Sequence, residues 1–479
     1  MDQEEAGLDV VVRRRAVDRH RDLHGGIIAA VRDLVQRWMD EAVEDHRLTG
    51  LTVGVLHGDQ RVELANGWAN KEAQIEARPD GVHQIGSITK LYTTTIVNRL
   101  LAEGKLGLDD ALPDVLPEVR LPGDPDLSAI RVRHLLTHTS GLPGDAFFDT
   151  GEGDENLARW VERLAVEDVA IEAEPGVRWS YCNSAFNLLG CIIEQRTGLP
   201  YRQAMRTFVT KPLGVLTPVV TAREVLRFRV AVGHALTPAG EVVSRPWAAL
   251  PVSSAPAGST PSARAGDLLT FARAHLDPAD ERLGSRSSLD ALQQSQFAMP
   301  AYMGVGQGFG WMLHHDSPRV IGHGGSTQTQ HSMMLASADP SFATVVFSND
   351  LHGSPAVRSL TRRLWGELAG VDLFADPVAT TLDQGTDVGA FAGTYERFGN
   401  RIVVASTDDR SLAVNVTTTT DGRTMSLDLE RVEPIDADGV RWMARQPMQA
   451  AVQTIEFREW DGGRPQVLHV GGRANVRRG

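Results

Sequence analysis

The chain has 479 residues, 42% of them hydrophobic and 23% charged, and a net charge of -13. That composition excludes wholesale disorder, and the acidic balance excludes a nucleic-acid partner, whose phosphates need clustered positive charge. At ~150 residues per domain, the length predicts two or three domains.

Residues 1–25 are charged throughout and read as a flexible leader. No signal-type apolar stretch is seen there and no later run approaches the ~20 apolar residues of a membrane span, so a cytoplasmic protein with no membrane partner is expected. Ile27, Val31, Leu34, Val35, Met39 and Ala42 recur with helical period. Leu51 to His57 and Arg61 to Trp68 read as strands joined by a Gly58-Asp59 turn. A helical pattern runs from Ser87 to about Ala102. The stretch to about 275 reads as a helical lobe with surface loops at Leu112 to Asp126 and Pro251 to Pro261. Strand signals return near Gly310 to His315, Gln328 to Ala336 and Phe342 to Ser348, followed by a helix marked by Val357, Leu360, Leu364 and Leu368. After a polar linker at 376–387 come five short β-type runs: Arg401 to Ala405, Ser411 to Val416, Met425 to Leu429, Ala451 to Phe457 and Gln466 to Val470. The predicted fold class is therefore α/β (α+β). A first domain at 26–375 has an antiparallel sheet flanked by helices and a helical insertion at about 100–275, and a small all-β barrel occupies 388–479.

Three short segments carry chemistry. In Ser87-Ile88-Thr89-Lys90, residues three apart on a helix lie side by side, so hydroxyl and amine can share a hydrogen bond. A serine hydroxyl is a weak nucleophile until a base accepts its proton. Lysine is that base only when burial or nearby positive charge lowers its pKa from ~10.4, and arginine cannot replace it. The chain has just four lysines, and only Lys90 has a serine three residues before it. By itself the pattern also describes a solvated helix. Tyr181-Cys182-Asn183 precedes an apolar helix: Tyr181 can shuttle a proton and Asn183 can orient Lys90 or donate to a substrate carbonyl. A buried tyrosine beside a helix-capping asparagine is the other reading. In His323-Gly324-Gly325-Ser326, glycines such as Gly325 let a substrate approach a strand, and His323 can contact a carboxylate or move a proton. A turn between strands fits the same residues.

In this order, Ser-x-x-Lys, Tyr-x-Asn and His-Gly-Gly resemble the signature of class C β-lactamases, low-molecular-weight penicillin-binding proteins and their esterase relatives. Gln84 to Lys90, His134 to Pro143 and Gly308 to Trp311 also resemble the group, over roughly residues 45 to 370. The resemblance implies acyl-enzyme chemistry on Ser87 with Lys90 and Tyr181 as proton carriers. Asn183, His323 and Gly325 would bind or orient substrate, the backbone N–H groups of Ser87 and Ser326 would form the oxyanion hole, and no cofactor or metal would be needed. It implies a small-molecule or peptide substrate bearing an ester, thioester or amide, with D-amino-acid peptides among the candidates. Histidine stands where β-lactamases carry lysine, which argues against β-lactam hydrolysis. The alternatives are a stand-alone penicillin-binding-protein-type thioesterase that cyclises nonribosomal peptides delivered by a peptidyl carrier protein, whose small β-domain is lipocalin-like, a β-lactamase, and a non-catalytic scaffold that binds β-lactam or peptide.

Other signals carry less. His134 and His138 have the i, i+4 spacing of zinc ligands but lack the glutamate of H-E-x-x-H, so helix packing is expected of them. Gly304, Gly306, Gly308 and Gly310 alternate and do not spell a dinucleotide fingerprint. Cys182 and Cys191, nine positions apart in a helical segment, span roughly 13 Å and are expected to stay reduced.

Overall fold

A computed structural model describes residues 29–478, less 238, 248–249, 376, 409–410, 421–422, 438 and 446–451. The predicted leader lies outside the described residues. Helix α1 (29–46) leads into an eight-stranded antiparallel sheet. Its strands are β1 (Gly50–His57), β2 (Gln60–Asn70), β3 (Ile75–Glu76), β4 (Gly306–Gln307), β5 (Met312–Asp316), β6 (Arg319–Ser326), β7 (His331–Ser337) and β8 (Phe342–Ser348), in the order β3-β2-β1-β8-β7-β6-β5-β4. The sheet is therefore assembled from both ends of the first domain, with β1 paired to β8 from Leu51↔Ser348 to His57↔Phe342.

Side-chain alternation divides this sheet between two cores. Val53, Val55 and Val346 pack with Val35 and Met39 of α1 and with Leu360, Leu364 and Trp365 of the closing helix. Val345 and Phe347 point the other way, toward Leu268, Leu269 and Phe271. Because both faces are covered, β8 is buried from end to end and its sequence, FATVVFS, is a nearly continuous apolar run. Truncating a residue such as Leu364 to alanine would cost about 2–5 kcal/mol through the cavity left behind.

The longest of the domain's further helices are α2 (Thr89–Ala102), α3 (Asn183–Thr197), α4 (Ala265–Leu276) and α5 (Ser354–Ala369). The two predicted surface loops differ. Leu112 to Asp126 runs along the surface, anchored by the buried Leu112, Val115, Leu116, Val119 and Leu121, whereas residues 252–261 are buried throughout. The second segment is rich in Ser, Ala, Pro and Gly because it threads between α2 and α3: a side chain on Gly190 would lie 2.3 Å from Pro256, and Thr93 Oγ1 donates to the Pro256 carbonyl at 2.8 Å. Small residues there signal close packing and not exposure.

The C-terminal strands form a closed antiparallel barrel: β9 (Gly393–Arg397), β10 (Asn400–Ser406), β11 (Leu412–Thr420), β12 (Arg423–Pro434), β13 (Arg441–Arg445), β14 (Val452–Asp461), β15 (Arg464–Val470) and β16 (Arg473–Arg478). Pairing of β9 with β16 closes it. Tyr395, Trp442, Phe457 and Leu468 fill its interior. The β15–β16 connection is the two-residue turn Gly471-Gly472, with φ of 57° and 78°, the left-handed pair that a tight hairpin requires. No helix among the described residues is long and apolar enough to cross a membrane.

Candidate active site

A 3-10 turn, Gly86–Ile88, delivers Ser87 to the start of α2. Ser87 is the only residue from 81 to 98 that is not buried, so the chain opens to the surface at this one point of an otherwise buried segment. Gly86 takes a φ of 52°, and a side chain on it would lie 2.6 Å from the Ser326 nitrogen. Only glycine lets the end of β6 approach this closely, and the Ser326 amide thereby sits beside the nucleophile's turn.

Lys90 is fully buried. Its Nζ lies 3.0 Å from Ser87 Oγ, 2.6 Å from Asn183 Oδ1 and 2.5 Å from the Ala257 carbonyl. Asn183 and Ala257 offer pure acceptors, which take two N–H groups. A neutral amine then has one lone pair left, directed at the Ser87 hydroxyl. Burial holds Lys90 well below the ordinary lysine range, the Arg473 charge lowers it further, and Asp145 partly opposes both.

Tyr181 is buried beside this pair. Its hydroxyl hydrogen-bonds the Ser87 side chain, lies 3.4 Å from His323 Nε2, and its ring centroid is 4.7 Å from Lys90 Nζ. Burial raises the phenol's pKa, so the proton stays on it, although the Ser87 hydrogen bond and Arg473 pull the other way. His323 Nδ1 bonds the Gly324 carbonyl, which puts the ring proton there and leaves Nε2 unprotonated beside the Tyr181 oxygen. Burial, then Lys90, lowers His323 to about 3. The imidazole is therefore neutral at working pH.

The structure thus brings Ser87, Lys90, Tyr181, Asn183 and His323 into one cluster and sets Ser326 against Gly86. The His-Gly-Gly segment is the end of strand β6 and not a turn. Gly325 differs from expectation: a side chain there would meet the Ile85 carbonyl at 2.0 Å and Ser332 Oγ at 2.3 Å, so the missing Cβ serves packing of β6 on the nucleophile's segment. Asn183 is not the helix cap either; Cys182 Sγ takes that role, accepting from the Ala185 amide at 3.3 Å.

Several site residues escaped the sequence reading. Asn183 Nδ2 donates to Asp145 Oδ1 at 2.7 Å. Arg473, the first residue of β16, grips the same carboxylate through Nε at 3.0 Å and a terminal nitrogen at 2.9 Å, while Arg397 lies 3.3 Å away. Burial pushes Asp145 upward, but Arg473 and Arg397 outweigh it and hold the carboxyl below its usual range. The Arg473 guanidinium lies 4.8 Å from the Tyr181 ring centroid. The Tyr181 amide donates to the Gly472 carbonyl at 2.9 Å and the Ala474 amide to Ser180 Oγ at 3.2 Å. The barrel is therefore part of the site wall. No local signal ties Asp145 to Arg473 across 328 positions.

His134 and His138 do not share a helical face, because the helix Val132–Leu136 ends before His138, which adopts a φ of 59°. Among the described residues no group of His, Cys, Asp or Glu has an arrangement that could hold a metal ion. Cys182 and Cys191 are both free and buried, and burial pushes the Cys182 thiol up to about 12.

Residues 35–369 match the family described as Beta-lactamase. The chain belongs to that family. Its relatives include Penicillin-binding protein 4 of Amycolatopsis lactamdurans, 34% identical over 381 residues that cover 76% of this chain and 97% of that protein. Esterase EstB of Burkholderia gladioli is 32% identical over 206 residues, 40% of this chain and 52% of the esterase. The crystal structure of SurE, solved also with D-Leu, superimposes with a TM-score of 0.72 at 26% identity and covers 94% of this chain and 99% of SurE. Family membership thus extends over the sheet and the helical lobe, and the SurE likeness takes in the barrel as well.

Proposed function

We propose that the protein is a serine hydrolase or acyltransferase that forms an acyl-enzyme on Ser87 from an ester, thioester or amide. The observation that carries this reading is the buried Lys90 amine, with Nζ 2.6 and 2.5 Å from two pure acceptors and 3.0 Å from Ser87 Oγ, so that once neutral it turns its lone pair on the serine hydroxyl. Lys90 takes the hydroxyl proton as Ser87 attacks the carbonyl. The Ser87 and Ser326 N–H groups stabilise the developing oxyanion, a contribution on the order of 3 kcal/mol per donor. The proton returns to the leaving group through Tyr181, and the acyl group passes to water or an amine by the same steps reversed.

A substrate with a D-amino-acid residue fits best, supported by the likeness to SurE, a protein solved with D-Leu. Neutral His323 supplies no cation at the third motif, which weighs against β-lactam hydrolysis. A second reading, cyclisation of a peptide held as a thioester on a carrier protein, is favoured by the barrel: the Gly471-Gly472 turn leans over Tyr181, and grooves of about 530 and 360 Å³ remain at the seam for a long chain. The test offers matched thioesters ending in D- or L-residues, with and without an internal amine, and reads products by mass. Faster consumption of the D-substrate supports the reading, and a ring in place of acid selects cyclisation. L-preference, or no acyl-enzyme with any donor, would overturn it.

A further inference from the structure

We infer that His138 is a positioning residue for Tyr181, fixing the phenol against Ser87 by holding the chain on both sides of it. The proposal rests on the acyl-enzyme reading above. Its basis is a convergence of three contacts from one residue onto three consecutive ones. The His138 carbonyl accepts the Ser180 amide at 2.9 Å, and its ring Nδ1 accepts the Cys182 amide at 3.0 Å. Between them, the imidazole lies on the Tyr181 ring with centroids 4.3 Å apart and planes inclined by 31°. The fourth side is closed by the barrel, whose Gly472 carbonyl takes the Tyr181 amide.

Two features argue that this grip, and not space-filling, accounts for the residue. His138 stands in the left-handed region at φ 59°, where a residue with a Cβ is strained and persists only when its surroundings demand it. Acceptance by Nδ1 forces the ring proton onto Nε2, which is buried without a partner; an apolar ring would fill the same space without that penalty. Protonation would turn Nδ1 into a donor and cost the Cys182 bond. Burial, with Lys90, His323 and Arg473 nearby, keeps the ring neutral.

The test is a double-mutant cycle on Ser87 acylation, read with a p-nitrophenyl ester and by fluorophosphonate labelling. His138→Ala should lower kcat by about 10-fold or more with little change in KM, since it acts through a proton carrier. His138→Asn, which tolerates the left-handed conformation and places an oxygen near the Nδ1 position, should recover to within about 5-fold of wild type. In a Tyr181→Phe background His138→Ala should cost less than about 2-fold, because the group being positioned is gone. Equal losses in both backgrounds, or a folded His138→Asn no better than His138→Ala, overturn the proposal. If His138→Ala does not fold, the cycle is run with His138→Asn and decided by whether its smaller loss vanishes with Tyr181→Phe. A wild-type protein that resists labelling at Ser87 overturns the acyl-enzyme reading itself; a labelled wild type with additive losses overturns only the role of His138.

Discussion

Replacing Arg473 by methionine removes a buried positive charge that the barrel directs at the catalytic lobe. Lys90 Nζ and the Arg473 guanidinium lie 4.7 and 4.8 Å from the same Tyr181 centroid, so they are at most about 9.5 Å apart. At an effective dielectric of ~20, that separation corresponds to at least roughly 1.7 kcal/mol of repulsion, or about 1.3 pH units on Lys90. Loss of the charge also leaves Asp145 less neutralised, and its carboxylate raises the lysine further. Both effects have the same sign. Because the base works only when neutral, the acid limb of kcat/KM for a p-nitrophenyl ester should move up by at least about one pH unit, with activity below the limb falling about 20-fold and recovering in alkali. Arg473→Lys keeps the charge and should leave the limb close to its wild-type position. An unmoved limb in a folded Arg473→Met protein, or equal shifts in both variants, would refute the electrostatic argument.

Three further outcomes are expected. Lys90 has a folded-state pKa below its unfolded ~10.4, so the unfolded chain binds the extra proton between those values and wild-type stability rises with pH through that window. The stability of Lys90→Met relative to wild type, from urea midpoints, should therefore decline as pH approaches ~10.4; a constant difference contradicts a neutral lysine. His323 titrates at about 3, so His323→Asn should lower the rate without moving the acid limb, and a displaced limb would reassign the titrating group. Gly472→Val forces a β-branched residue into a φ of 78° and against Met303 at 3.2 Å, which should destabilise the protein by about 1–3 kcal/mol in thermal unfolding; an unchanged midpoint would mean the barrel turn is not tightly docked.

Legibility of the site follows the range of the interaction. Ser87 and Lys90 are readable because one helical turn joins them. Tyr181, Asn183 and His323 come from α3's threshold and from β6, and only their order relative to Ser87 betrays them. Asp145 and Arg473 form an ion pair across two domains, each in an unremarkable local sequence. The spacing of His138 from His134 implies a continuous helix and so conceals its role, because the chain leaves the helix after Leu136 and turns left-handed. The same logic governs the fold. Phe342 to Ser348 is legible to the residue because a strand buried on both faces is plainly apolar. β6, with three glycines, and β16, RANVRR, hide because one is shaped by close approach to Gly86 and the other buries only Ala474 and Asn475 strongly among its arginines. β9 buries only Tyr395. Removing everything beyond residue 380 would therefore strip Asp145 of both its arginines.

The most direct measurement is intact mass and peptide mapping after exposure to a fluorophosphonate, for wild type and for Ser87→Ala, Lys90→Met and Tyr181→Phe. A single adduct on Ser87, absent from Ser87→Ala and formed at least about 100-fold more slowly in Lys90→Met, is the predicted result. A well-folded wild-type protein that takes no label, or takes it on another residue, would contradict the claim that a buried neutral lysine activates Ser87.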